Sequence, residues 1–335
     1  MFKYIIKRLL ISVVILLGVS VIIYSLVRMM PDDYVDKKYA EQLNQGSITQ
    51  EDIDRFKELY GLSDNSFKGI IKGYFKWLGK LCKGDLGQSF KYEKPVATVI
   101  SENMWISFAI AIIATILQFL IAIPLGISSA THQYSVRDYA VTVFTMIGIS
   151  LPTYFFAAIV IKIFSVDLGW LPSGGLISAT KDYGTDFVGQ MSKFGDILKH
   201  LILPIFVSVI LSIGGLMRYT RTNTLEVLNA DYIRTARAKG LSENKVIYKH
   251  AFRNTMIPLV TLLAGILPSL FGGMMITEEV FSIDGIGRLE YSALIEGDIQ
   301  FVIVYNMFLA VLTVIGTLLS DIMYSVVDPR VKLGK

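Results

Sequence analysis

Six apolar stretches recur along the chain, and none of them contains a charged residue. They run over about Leu9–Val27, Trp105–Ala130, Tyr139–Ile161, Leu201–Met217, Met256–Thr277 and Phe301–Ser320. At about 1.5 Å of rise per residue, with some tilt, each is long enough to cross a hydrocarbon core of about 30 Å. A backbone in lipid has no water to bond and must satisfy its own N–H and C=O groups, so these stretches are expected as helices. The pattern predicts an all-α membrane protein with six transmembrane helices. Lys3, Lys7 and Arg8 precede the first stretch, as in a signal peptide. Its apolar run is longer than a signal core, however, and Arg28-Met29-Met30-Pro31 offers no small-residue cleavage site, so it reads as an uncleaved first span. Pro124, Pro152, Pro204, Pro258 and Pro268 lie in or at the ends of spans, and some are expected to kink them.

The polar segments set the orientation. Lys3, Lys7 and Arg8 lie before span one, and Arg330, Lys332 and Lys335 follow span six. The segment after span four carries Arg218, Arg221, Arg234, Arg237, Lys239, Lys245, Lys249 and Arg253. After span five come Glu278, Glu279, Asp284, Glu290, Glu296 and Asp298 against Arg288 alone. Short basic loops stay in the cytoplasm, which puts both termini there. The domain reading is then an N-terminal tail and first span over 1–30, an external helical subdomain over 31–100, a core over 101–325 with a basic loop at 220–255, and a cytoplasmic tail over 326–335. Within the external subdomain, Ser47-Ile48-Thr49-Gln50-Glu51 opens a capped helix that Gly61 ends. Ile70, Tyr74, Trp77, Leu78 and Leu81 predict a second amphipathic helix running up to Gly84, and both helices are expected to pack on the outer ends of the spans.

Composition agrees with the pattern. Of the 335 residues, 53% are hydrophobic and 18% charged, with a mean hydropathy of +0.54. So few charges cannot cover that much apolar surface in water. The net charge of +4 gives no reason to expect nucleic acid. Cys82 is the only cysteine, which excludes an intramolecular disulfide, and it reads as a small packing residue. His132, His200 and His250 are scattered and suggest no metal site.

No phosphate-binding glycine loop, zinc-protease motif or nucleophile elbow occurs. No carboxylate sits mid-span to relay protons, which speaks against an ion-coupled carrier. The chain thus resembles a transporter without its own energy source. The basic loop is where a partner would supply one. Leu225–Lys239 reads as an amphipathic helix ended by Gly240, and a second helix starts after Ser242. A basic loop lying on anionic lipid explains the charge equally well, but not the glycine between two helices.

The run Asp231-Tyr232-Ile233-Arg234-Thr235-Ala236-Arg237-Ala238-Lys239-Gly240-Leu241-Ser242 resembles the EAA loop of ATP-binding-cassette importer permeases. It is most similar to the B-type subunit of the oligopeptide/dipeptide/nickel group. The E-A-A-x-x-x-G pattern falls on Arg234, Thr235, Ala236 and Gly240, with departures at the first two positions and Arg253 where the general pattern has proline. Gly61-Leu62-Ser63, Trp77-Leu78-Gly79, Gly84-Asp85-Leu86-Gly87-Gln88-Ser89, Leu168-Gly169-Trp170-Leu171-Pro172-Ser173-Gly174, Glu279–Leu289 and Asp328-Pro329-Arg330 extend the likeness over nearly the whole chain.

The resemblance implies a type I importer permease fold in a prokaryotic cytoplasmic membrane. It implies a second homologous permease, two cytoplasmic ATPases and an extracytoplasmic substrate-binding protein as partners. This chain would then be no enzyme and bind no cofactor, with ATP and Mg held by the ATPases. Tyr232, Arg234, Thr235, Ala236, Arg237 and Gly240 are the expected ATPase-docking residues, the small Ala236 allowing close approach. Asp284, Gly285 and Arg288 are expected against the binding protein, although ordinary turn chemistry accounts for that loop equally well. Gln118, Thr145, Ser150, Thr261 and Ser269 are candidates to line a polar path or, alternatively, to mediate helix packing. Peptides are the expected cargo. Nickel chelates or other small solutes remain open, as do two further classes: a stand-alone carrier, which would need a buried charge or an inverted repeat, and a membrane receptor or scaffold, which leaves the EAA-like loop unexplained.

Overall fold

The computed structural model describes residues 2–29, 43, 49, 51 and 66–327. The first external helix expected from Ser47 to Gly61, the Gly61-Leu62-Ser63 match and the tail motif at Asp328 therefore lie outside the described residues, isolated positions apart. Helix α1 covers Phe2–Arg28. Helix α2, Phe67–Leu81, begins where the Ser66 side chain accepts a hydrogen bond from Gly69 N–H at 3.2 Å, which satisfies one of the free donors of the first turn. Its periodic face buries Tyr74 and Trp77 against α1. The Tyr24 and Tyr74 rings meet edge to face at 5.6 Å, and the Ser20 and Tyr74 hydroxyls are 2.8 Å apart. Cys82, expected to pack, is exposed, because it follows the last residue of α2.

Helices α3 (Val96–Thr131) and α4 (Val136–Ser150) are joined by a short turn in which Ser135 caps α4. Span three does not run straight. Leu151 is extended (ψ 128°), as the residue before a proline prefers, and α5 (Thr153–Ile161) leaves with Pro152 at its N-cap. The axis turns by 103° between α4 and the segment through Asp167. Helix α6 runs unbroken for 42 residues, Phe187–Leu228, far beyond the expected Leu201–Met217. Pro204 sits inside it and removes one hydrogen bond without ending it.

Beyond α6 follow α7 (Asp231–Ala238), a short α8 (Glu243–Lys245) and a π-helical turn (Val246–Ala251) leading into α9 (Phe252–Thr261). Then come α10 (Leu263–Phe271), α11 (Met275–Val280), α12 (Ile286–Glu296) and α13 (Ile299–Val327). Helices α1, α3, α6 and α13 are each long and apolar enough to cross a membrane, and the bent α4–α5 pair makes a fifth if taken as one. The segment expected as a single span at Met256–Thr277 is divided. The N–H of Leu262 turns to the nearer carbonyl of Leu259 at 3.1 Å, separating α9 from α10.

Helices α3 and α6 lie side by side in the same direction: Gln118 meets Ser212, and Ser129 meets Arg221. The Phe2 end of α1 and the Val327 end of α13 come together through an Arg8–Asp321 pair at 3.0 Å. The first and last described helices therefore share one end of the bundle at their Phe2 and Val327 ends. At the other end, Asp298 caps α13 and ties it to the segment after α2: Ser89 Oγ and Lys91 N–H donate to its carboxylate at 2.5 and 3.1 Å.

Candidate functional site

The loop between α6 and α9 is built from the inside out. Ile233 and Ala236, three residues apart on α7, are buried with Val246 and Ala251 of the π-turn. Ala236, expected to meet a partner, is buried here and seats α7 on its own chain. The expected continuous helix over Leu225–Lys239 is also corrected. Asn229 ends α6, its side chain donating to the Leu225 carbonyl at 3.0 Å, and extended Ala230 restarts the chain as α7. Tyr232, Arg234, Thr235 and Arg237 occupy the opposite, exposed face. Gly240 closes α7 in the left-handed region at φ +75°, where a side chain is disfavoured. Across this turn Arg237 donates to Glu243 at 2.7 and 3.2 Å, and its guanidinium holds the Glu243 carboxyl below the usual carboxylate range.

At the same end of the bundle, Arg221 of α6 grips Asp138 of α4 with two bonds of 2.9 Å. Ser129 of α3 also donates to that carboxylate and accepts from Arg221 at 3.1 Å. Asp138 is 5% exposed, so three spans converge on one buried charge. Only the charge of Arg221 was visible in the sequence; its partner is 83 positions away.

At the opposite end Glu278 is 1% exposed despite belonging to the acidic loop. Its carboxylate accepts from Ser107 Oγ at 2.7 Å and from the N–H groups of Met274 and Arg288 at 2.9 Å each. Ser107 in turn accepts from Ile286 N–H at 2.9 Å. Gly285, expected at a partner surface, is buried beneath this network instead, because an added Cβ would lie 2.5 Å from both the Glu278 carboxylate and Ser107 Oγ. Gly285→Ala is therefore expected to lower stability by about 1–3 kcal/mol through overpacking. Thermal unfolding of the purified protein in detergent measures this, and an unchanged midpoint would contradict the packing. Asp284 is 78% exposed and Arg288, paired with Asp284 and Glu279 at 2.9 Å each, lies beside it. Both line an open polar pocket of about 460 Å³ with Lys91, Lys94 and Glu102.

The five path candidates separate. Gln118 donates to the Ser212 carbonyl at 2.9 Å and lines an open cleft of about 340 Å³. Thr115, Thr153, Ser208, Ser212 and Thr277 line it too, and none of these was singled out from the sequence. The spacing of Thr115 to Gln118 and of Ser208 to Ser212 on single helix faces was the available signal. Thr145 is a packing residue: it is buried, bonds its own helix at 2.9 Å, and its carbonyl lies 2.8 Å from where a Cβ of Gly214 would stand. Ser150 and Ser269 are exposed and donate to Met146 and Ile266 of their own helices at 2.8 and 2.7 Å, so the structure does not bring them to the cleft. The Thr261 side chain lies outside what is described.

Residues 122–333 match the family of binding-protein-dependent transport system inner membrane components. The chain belongs to this family. Residues 1–111 match the N-terminal membrane component of the same transport systems. Among curated relatives, the oligopeptide transport system permease protein AppB of Bacillus subtilis is 38% identical over 99% of this chain and all of its own length. The dipeptide transport system permease protein DppB of Alkalihalophilus pseudofirmus is 33% identical over the same shares. As a member of this family, the chain is a multi-pass inner-membrane permease subunit, and its apolar helices accord with that place.

Proposed function

We propose that this chain is a membrane-spanning subunit of an ATP-driven peptide importer, forming half of the translocation pathway. The observation that carries the reading is α7: a short helix fixed on an apolar seat, closed by Gly240 and the Arg237–Glu243 pair, with Tyr232, Arg234, Thr235 and Arg237 exposed on its outer face. A stiff helix passes on the displacement of a partner, whereas a loose loop would dissipate it. Two ATPases, one on this subunit and one on a second homologous permease, supply that displacement from ATP and Mg bound within themselves. The face around α7 is cytoplasmic, and both termini share it; the chain crosses the membrane six times, the bent pair and the divided segment each making one crossing. At the far side, the pocket holding Asp284 and Arg288 receives a substrate-binding protein. The peptide cargo is supported by the substrates named for the two relatives.

Purified alone in proteoliposomes, the chain is expected neither to hydrolyse ATP nor to accumulate solute. With its second permease, ATPases and binding protein added, ATP-dependent uptake of labelled peptide is expected. Hydrolysis by the lone chain, or uptake without ATP, would overturn the reading.

A further inference from the structure

The cleft around Gln118 lies at a defined depth. Along α3, Ser107 joins the Glu278 network and Ser129 joins the Arg221–Asp138 pair. Gln118 stands midway between them, about 16 Å along the helix from each. A primary amide at mid-membrane needs polar company, and the structure gives it one bond, to the Ser212 carbonyl. A glutamine has two amide hydrogens and an acceptor carbonyl, so capacity is left for a ligand. Four elements bring hydroxyls to the same cleft: Thr115 from α3, Thr153 from the first turn of α5 after the 103° bend, Ser208 and Ser212 from α6, and Thr277 from α11. No charged residue lines it. The charges on either side are already committed, Glu278 to three donors and Arg221 to Asp138.

The cleft opens on the surface of this subunit, with apolar Ala114, Leu211 and Met274 between the polar groups. We infer that this cleft is a mid-membrane cargo subsite that holds a peptide by its backbone through neutral hydrogen bonds and does not read the charge of its side chains. The inference rests on the peptide-importer reading and deepens it. The Ser208 and Ser212 hydroxyls already donate to the Pro204 and Val209 carbonyls and offer acceptor lone pairs, while the Gln118 amide and the threonine hydroxyls can donate as well, so the set matches the N–H and C=O groups that every peptide presents. A fixed charge in the cleft would instead trap cargo of opposite sign and repel cargo of like sign. Its absence leaves a path that passes peptides of any charge.

The test uses the complete complex in proteoliposomes and three peptides of equal length, acidic, neutral and basic. Thr115→Glu is expected to lower acidic uptake about tenfold relative to basic uptake, and Thr115→Lys to shift the ratio the other way, since a like charge placed against the cargo is strongly unfavourable. A structural role alone would change all three peptides equally. In a Cys82→Ser background, Ser212→Cys is expected to react with a bulky thiol reagent, to lose uptake on labelling, and to be shielded by excess transported peptide. This second arm decides the matter if the charged variants do not assemble: an unreactive Cys at 212, or labelling without effect on uptake, overturns the subsite. Unchanged charge ratios in assembled variants do the same. A wild-type complex that imports none of the peptides overturns the importer reading together with the subsite, whereas normal wild-type import with the negative results above overturns the subsite alone.

Discussion

Replacing Arg221 with methionine is expected to destabilise the folded subunit by about 3 kcal/mol, the lower end for stripping a partner from a buried charge. The lower end applies because the Arg221 side chain keeps 26% of its exposure while Asp138 keeps 5%. Methionine retains the packing of the aliphatic stem but leaves the Asp138 carboxylate with only Ser129 and the Tyr134 N–H as donors. Asp138→Asn in the Arg221→Met background removes the stranded charge and is expected to restore part of the loss. Thermal unfolding of all four proteins in detergent gives the coupling as a double-mutant cycle. A single variant as stable as wild type, or a cycle without coupling, would contradict the ion pair as the point where α3, α4 and α6 are held together. Arg221→Lys is expected to fall between, because an ammonium cannot reproduce the two-pronged grip on the carboxylate.

The second large effect concerns coupling and not stability. Gly240→Pro is expected to reduce ATP-driven uptake at least about tenfold while the protein still inserts, since proline holds φ near −65° and the native value is +75°. The turn from α7 to Glu243 would then have to rebuild, taking the Arg237–Glu243 pair with it. Gly240→Asn separates backbone from bulk. No atom lies within 4 Å of a Cβ placed there, so a larger residue meets only the strain of the left-handed conformation, which asparagine tolerates. Gly240→Asn is expected to keep most of the uptake. Normal transport by Gly240→Pro would remove this turn from the coupling path.

What the sequence revealed depended on how local the cause was. The left-handed cap at Gly240 and the inward face of Tyr74 and Trp77 follow from single residues and helical spacing, and both stand in the structure. The prolines show the limit. Pro124, Pro204, Pro258 and Pro268 all lie inside helices, and only Pro152 marks a 103° turn. The ring is the same in each case; the outcome is decided by neighbours that no local window contains. Asn229 was a readable stop before Asp231, yet the amphipathic pattern running across it concealed the break. Glu278 and Asp138 were beyond reach, since their burial is settled by donors from remote segments. A count of surface charge places Glu278 in solvent, while its three donors hold it buried. The same non-locality hid the burial of Ala236, whose apolar neighbours Val246 and Ala251 come from the turn after α8.

The length of α6 has a mechanical consequence. Asp196, near its beginning, holds the preceding loop through Ser178, Lys181 and Tyr183. Leu228, at its other end, adjoins the seat of α7. Ser212, where the helix is pinned to Gln118, lies halfway between these two points, with arms of about 24 Å on each side. Nearer the Leu228 end, Arg221 holds the helix again, to Ser129 of α3 and Asp138 of α4, so α6 is fastened to α3 at two levels. A push delivered at the seat of α7 would therefore shift α3 together with α6, as one two-helix unit.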